Sequence, residues 1–344
     1  YFHTFDKKGN ITNNFLVVAN NKDNKGFIKV GNERVVNARL SDAQFFWEKN
    51  KSNNLVKQVL KLKSMNYFKG IGTYFDKVQR MRRLGGMISD ELLISKDKVE
   101  ISTTICKVDL LSDIVGEFPE LQGIMGRYFA EFQGFDKDIS LAVGEHYLPI
   151  GTDSKTPKKP FSIALALTDK IDTLVGFFGI DQKPTSSKDP FALRRTSIGL
   201  LKIITENKLT IQLKDLINYS IVIYGEQNVK FLNNFVAKDI LTFLRERFKN
   251  LLKDKKIRND IIEAVDASYT GDDFLALYKK CLIINKNISK DVCKNIIGAY
   301  KRASNIIDQE IKTKKEEIMG QPESFLFKKD EERNLFNKIN EIRQ

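Results

Sequence analysis

At 344 residues, with 42% hydrophobic and 29% charged side chains, the chain can form two or three domains and bury a sizeable core. It contains no run near the roughly 18 to 20 apolar residues of a membrane span, and "YFHTFDKKGN" lacks the basic and apolar stretches of a signal peptide. The formal charge of +13 points toward polyanions, but unevenly: residues 31 to 90 hold twelve Lys/Arg against five Asp/Glu, and residues 101 to 180 seven against eleven.

The first segment, "FDKKGNITNNFLVVAN", reads as a hairpin with its turn at Lys8-Gly9-Asn10 and a strand from Phe15 to Ala19. After Gly31 the signals become helical. In "RLSDAQFFWEKN", Ser41 or Asp42 can cap a helix that buries Phe45 and Phe46. In "GTYFDKVQRMRRLGGM", Tyr74, Val78 and Met81 repeat at helical spacing, Lys77, Arg80 and Arg83 share another face, and Gly85-Gly86 reads as a stop. Within "LQGIMGRYF", Gly123 and Gly126 thin one side so that another helix can approach. Cys106, Cys281 and Cys293 are far apart and form no CxxC pair, which fits buried free thiols in a reducing cytoplasm.

Pro160 opens a helix whose stripe is Ile163, Leu167, Ile171, Leu174 and Phe178. Asp169 and Asp172 fall opposite that stripe beside Leu165 and Gly176, so they are either solvated or half buried. His146, in "GEHYLP", is the one histidine placed to join them, since His3 lies in the hairpin. One His and two Asp make a thin ligand set for a transition metal, and a hydrogen-bonded structural His146 is the plainer reading. No GxxxxGK[ST] loop, GxGxxG turn or other nucleotide motif is present, and so few histidines give no ground for arguing a Ser/His/Asp arrangement. Covalent chemistry is therefore expected on another polypeptide.

Further on, "DPFALRRTSIGLLKIITEN" reads as a helix capped by Asp189 with Pro190 at its first position. Leu193, Leu200, Leu201 and Ile204 form its buried side, while Arg195, Gly199 and Lys202 line the other face with Arg194 on its flank and Lys188 just upstream. A glycine between two cations admits a phosphate, and Arg forks equally well onto phosphate or carboxylate. For this pair a phosphate and an internal carboxylate such as Asp169 or Asp172 both stay open. From about residue 235 onward helix follows helix, so the fold class is mainly α with a short β segment at the start.

Six blocks then carry a resemblance: "GNERVVNARLSDAQFFWE" (31–48), "GIGTYFDKVQRM" (70–81), "VGEFPELQGIMGRYFA" (115–130), "EHYLP" (145–149), "LALTDKIDTLVGFFGI" (165–180) and "SKDPFALRRTSIG" (187–199). In order and spacing they resemble the beta subunit of bacterial glycyl-tRNA synthetase. The resemblance implies that residues 1–30 end a preceding domain and residues 31–207 form an HD-like helical domain. It further implies a helical body over 208–285 and a partial helical anticodon-binding domain over 286–344. It implies a cytoplasmic aminoacyl-tRNA ligase in an alpha/beta heterotetramer, with glycine, ATP and Mg2+ handled by the alpha subunit and no cofactor on this chain.

The implied partners are that alpha subunit and glycine tRNA, with no membrane. Candidate tRNA contacts are Arg195, Lys202, Arg194, Lys188, Lys77, Arg80 and Arg83. His146, Asp169 and Asp172 would be remnants of an HD-type site without metal, since "KVDLLSDIVGEFPELQG" offers acids but no His-Asp pair. The family carries a large portion before "YFHTFD" and continues past Gln344, so the chain reads as a fragment that is inactive alone. The alternatives are an HD-type metal-dependent phosphohydrolase and a non-catalytic basic helical scaffold.

Overall fold

The computed structural model describes every residue except 152, 270, 315–321 and 344. The chain divides into two compact units, Tyr1–Leu282 and Ile283–Gln344. As the periodicity predicts, helix dominates, and the described strands form two small two-stranded sheets. In the first, β1 (Phe2–Phe5) pairs antiparallel with β2 (Ile11–Leu16). The Asp6 carboxylate closes the expected turn by accepting the amides of Lys8 and Asn10, each at 2.8 Å.

The first helix, α1 (Phe27–Asn50), begins at Phe27 rather than at Ser41. Its cap is Asp23, whose carboxylate accepts the amides of Ile28 and Lys29 at 3.1 and 2.8 Å while Gly26 turns the chain in the left-handed region. Ser41 and Asp42 are therefore exposed mid-helix residues. Phe46 packs on the core, but Phe45 remains exposed, contrary to the sequence reading. Short α2 (Leu55–Gln58) and the hairpin of β3 (Asn66–Phe68) and β4 (Gly72–Thr73) lead into α3 (Tyr74–Leu92). Thr73 and Asp76 form a reciprocal capping box at its start. The helix runs straight through Gly85-Gly86, so that pair is no stop. A Cβ at Gly85 would lie 3.0 Å from Val99 Cγ1 and 3.3 Å from Thr103 Cγ2, so the glycine lets α4 (Lys96–Ile105) approach.

After α5 (Asp113–Glu117), α6 (Ile124–Phe132) and α7 (Lys137–Glu145) pack together across Gly126, as expected. Next, α8 (Pro160–Gly179) is wedged among α3, α7, α9 (Leu193–Glu206), α10 (Leu213–Glu226) and α11 (Val236–Asp254). Its residues 164 to 167, Ala-Leu-Ala-Leu, are all 0% exposed, the signature of a helix buried on every side. Leu165 joins Val78, Met81, Ile105, Phe129 and Val143 in a core where each large side chain contributes about 1.5–3 kcal/mol relative to exposure.

Asp189 does cap α9, accepting the amides of Leu193 and Arg194 at 2.8 and 2.9 Å, but the helix starts at Leu193 after a left-handed Ala192 and not at Pro190. The first unit closes with α12 (Asn259–Ala267) and α13 (Phe274–Asn287). The second contains α14 (Asp291–Lys314) and α15 (Asp330–Arg343). All three cysteines are free, with Cys106 and Cys281 buried and Cys293 partly so. Among the described residues, no helix is long and apolar enough to cross a membrane.

Candidate functional site

Asp169 and Asp172 on α8 stand at i and i+3, as do Lys77 and Arg80 on α3, so each pair points to one side of its helix. Because α3 packs on α8, the two pairs meet. Lys77 Nζ lies 3.1 Å from Asp169 Oδ1 and 3.1 Å from Asp172 Oδ2, and donates to Thr173 Oγ1 at 2.9 Å. The Arg80 guanidinium forks onto Asp172, with Nε to Oδ1 at 2.7 Å and Nη2 to Oδ2 at 3.4 Å. Its Nη1 donates to Gln227 Oε1 at 2.8 Å and to the Ile71 carbonyl, and the plane lies 4.0 Å from the Tyr224 ring centroid.

The other half comes from the turn after α4 and the end of α7. Lys107 Nζ reaches Asp169 Oδ1 at 3.0 Å and His146 Nε2 at 2.9 Å, above the Tyr147 ring at 3.9 Å. His146 Nδ1 lies 2.6 Å from the Val143 carbonyl, which can only accept. The imidazole is thus the neutral Nδ1–H tautomer, with Nε2 accepting from Lys107. Lys170 Nζ turns away to donate to the Leu148 and Tyr147 carbonyls at 2.8 and 3.3 Å. Asp109 Oδ2 accepts the Gly123 and Gly126 amides at 2.5 and 3.2 Å, whereas its Oδ1 has no hydrogen-bond partner.

Four cations and three carboxylates are therefore out of water together, with Asp169 the most exposed at 8%. Burial alone would depress the Lys77 ammonium, but Asp169 and Asp172 overcome it and hold it well above the ordinary range. Burial would likewise raise both aspartates, yet the Lys107 and Lys77 charges pull Asp169 far down, and Arg80 and Lys77 pull Asp172 down. Where compensation is weaker, burial wins. It lowers Lys170 to about 8, raises Asp109 to about 6, and with the Lys107 charge keeps His146 neutral, well below the usual imidazole range.

This donor set does not suit a metal ion. A cation would need the lone pairs of Asp169 and His146 that Lys77 and Lys107 occupy, and the ammonium groups would repel it. Among the described residues, no three His, Cys, Asp or Glu side chains are grouped to hold one. The structure thus brings His146, Asp169 and Asp172 into one cluster as ion-pair and hydrogen-bond acceptors.

The cationic candidates fall into two sets. Lys77 and Arg80 are 2% and 1% exposed and belong to the cluster, so the common basic face expected for Lys77, Arg80 and Arg83 does not exist. Arg83 alone reaches the surface, where it pairs with Glu226. Lys202 is also buried and donates to the Ser154 carbonyl at 2.9 Å. Gly199 beside it admits the Lys170 stem rather than a phosphate: a Cβ there would stand 2.9 Å from Lys170 Cε. Arg194 donates to the Thr185 carbonyl, not to Asp169 or Asp172, whose oxygens α3 and Lys107 already hold. Lys188 is exposed on the loop before α9. Arg195 is exposed, has no partner among the described residues, and lines a 380 Å³ cleft whose wall includes Asp169, Lys170, Tyr147 and Gln122.

Sequence reasoning missed Lys107, Asp109, Lys170, Tyr147, Tyr224 and Gln227 as members of the cluster. Two signals were available: Lys170 sits inside "TDKID", and Lys107 with Asp109 occupies "KVDLL", where a lone charge pair breaks an apolar run.

The family model described as "Glycyl-tRNA synthetase beta subunit" matches residues 1–267. Proteins named glycine--tRNA ligase beta subunit are similar along nearly the whole chain. That of Rhodospirillum centenum is 37% identical over 312 residues, 89% of this chain and 43% of its own length. That of Rickettsia canadensis is 37% identical over 344 residues, 99% of this chain and 49% of the relative. That of Clostridioides difficile is 34% identical over 340 residues, 98% of this chain and 48% of the relative. The chain spans about half the length of the curated relatives it matches. With a family match over most of its residues, the chain belongs to the glycyl-tRNA synthetase beta subunit family.

Proposed function

We propose that this chain is a tRNA-handling part of glycyl-tRNA synthetase. In this reading it supports ATP-dependent attachment of glycine to its tRNA in the cytoplasm, while a separate alpha subunit in a heterotetramer holds glycine, ATP and Mg2+. The family match over residues 1–267 carries the reading. The chemistry of the cluster supports a non-catalytic role: Asp169 and Asp172 are committed to Lys77, Arg80 and Lys107, and Asp109 is sealed from a substrate at 1% exposure. Arg195, exposed and unpaired at the cleft, is the cation best placed to meet an RNA phosphate. HD-like describes the helical arrangement over 31–207 in this reading, with the metal site replaced by ion pairs. The chain alone is expected to be inactive in aminoacylation.

Competition binding tests the proposal. The full-length beta subunit with its alpha subunit is expected to prefer glycine tRNA over a non-cognate tRNA at moderate salt, where nonspecific phosphate contacts weaken. Equal affinity for both would overturn it in favour of a basic helical scaffold.

A further inference from the structure

A second cavity takes no part in the charge cluster. It measures 890 Å³ and opens between α10, the first turn of α11 and the segment before α13. Its wall holds three phenylalanine rings, of which Phe274 is buried at 3% exposure. Phe231 is anchored, since its ring packs against Tyr224 with centroids 5.3 Å apart and fills the space beside Gly179. Phe235, by contrast, is 67% exposed.

Around these rings stand Lys214, Lys238, Asn218 and Asn234, all exposed; none makes a side-chain hydrogen bond among the described residues, and Lys238 lends its charge to Asp239. The nearby acid, Asp272, already spends one oxygen on the Lys214 amide at 2.8 Å. Arg245 fixes the rim by donating to the Tyr269 and Gly271 carbonyls at 2.9 and 2.5 Å.

An open ring, the exposed Lys214 and Lys238 ammonium groups and two free carboxamides on one concave wall define a ligand with an aromatic face, donor and acceptor edges and negative charge. A carboxamide both donates and accepts, as recognition of a base edge requires. The volume falls in the range of about 300–1,000 Å³ typical of small-ligand sites and admits a single base, not a double helix. We infer that this cavity receives one unpaired nucleotide of the tRNA, its base against Phe235 and Phe231 and its flanking phosphates against Lys214 and Lys238. The inference rests on the RNA-handling role proposed above and assigns it a second contact, separate from Arg195.

Titration of glycine tRNA against the complete beta subunit with its alpha subunit tests this. Lys214→Ala with Lys238→Ala is expected to weaken binding about tenfold at 0.1 M salt and to lower the slope of log K against log salt by about 1.4 to 1.8. Phe235→Ala is expected to weaken binding by about tenfold with the slope unchanged, because stacking releases no counterions. If these variants bind as the parent does while Arg195→Ala weakens binding, this inference falls and the broader role stands. If the parent binds no tRNA, both fall. Crosslinking of thiouridine-substituted tRNA to the unmodified protein needs no variant: a crosslink within residues 231–238 is expected, and crosslinks confined to other segments would overturn the assignment.

Discussion

Lys77, Arg80 and Arg83 follow one another at i, i+3 and i+6 on α3, yet the first two are buried among aspartates and the third is a surface residue paired with Glu226. On α9 the same contrast separates buried Lys202 from exposed Arg195. A helix wedged between others has no single polar face. What a cation meets is decided by the neighbouring element, here the aspartates of α8 or open solvent. The energetic stakes differ accordingly, because a buried ion costs several kcal/mol to desolvate whereas an exposed pair contributes about 0–1 kcal/mol.

The comparison breaks most visibly at Asp172, which is 0% exposed and neutralises two cations. Asp172→Ala leaves Lys77 and Arg80 without it and is expected to destabilise the first unit by about 3–5 kcal/mol in urea unfolding. A loss under about 1 kcal/mol would mean the cluster is wetter than its geometry implies.

A smaller effect is expected at Asp109, raised by burial to about 6 from its ordinary 3.8. A carboxyl whose folded pKa is raised binds its proton more tightly in the native state, so its stabilisation is present below about pH 4 and lost as pH climbs through 6. The loss should be on the order of 1–3 kcal/mol. Asp109→Asn should remove the fall in stability toward pH 6, leaving the loss on acidification set by neutral His146 below about pH 6.5 and by the depressed Asp169 and Asp172 below about pH 4. Chemical unfolding across that range checks both limbs, and an unchanged slope in the variant would remove Asp109 from the account.

The surface end of the comparison is Arg83. Its side chain is 42% exposed, and Arg83→Ala is expected to change stability by no more than about 0.5 kcal/mol in the same unfolding assay. A larger loss would show that the pair with Glu226 behaves like the buried ones.

Much of the frame was legible in the sequence. The α8 stripe with Pro160 at its start, the aspartates opposite it, the Asp189 cap and the packing glycine Gly126 all follow from local patterns, and all are present. What failed was long-range or depended on loop geometry. Nothing local says that Lys77 and Arg80 meet acids more than ninety residues away, and the same spacing describes a solvated face equally well. The start of α1 was misplaced because its cap, Asp23, acts across a left-handed Gly26 from inside "NNKDNKG", a stretch that reads as loop. Gly85-Gly86 looked like punctuation because a stop and a close helix approach ask for the same residue, and only the position of Val99 distinguishes them.

This molecule sorts its cations, keeping Lys77, Arg80 and Lys107 for its own acids and leaving Arg195 exposed, where we propose that it meets an RNA phosphate. The salt dependence of glycine tRNA binding to the Arg195→Ala variant, in the complete alpha/beta complex, tests it most directly. Loss of one phosphate contact is expected to weaken binding and to lower the slope of log K against log salt by about 0.7 to 0.9. A correctly folded variant with parental affinity and slope would contradict it.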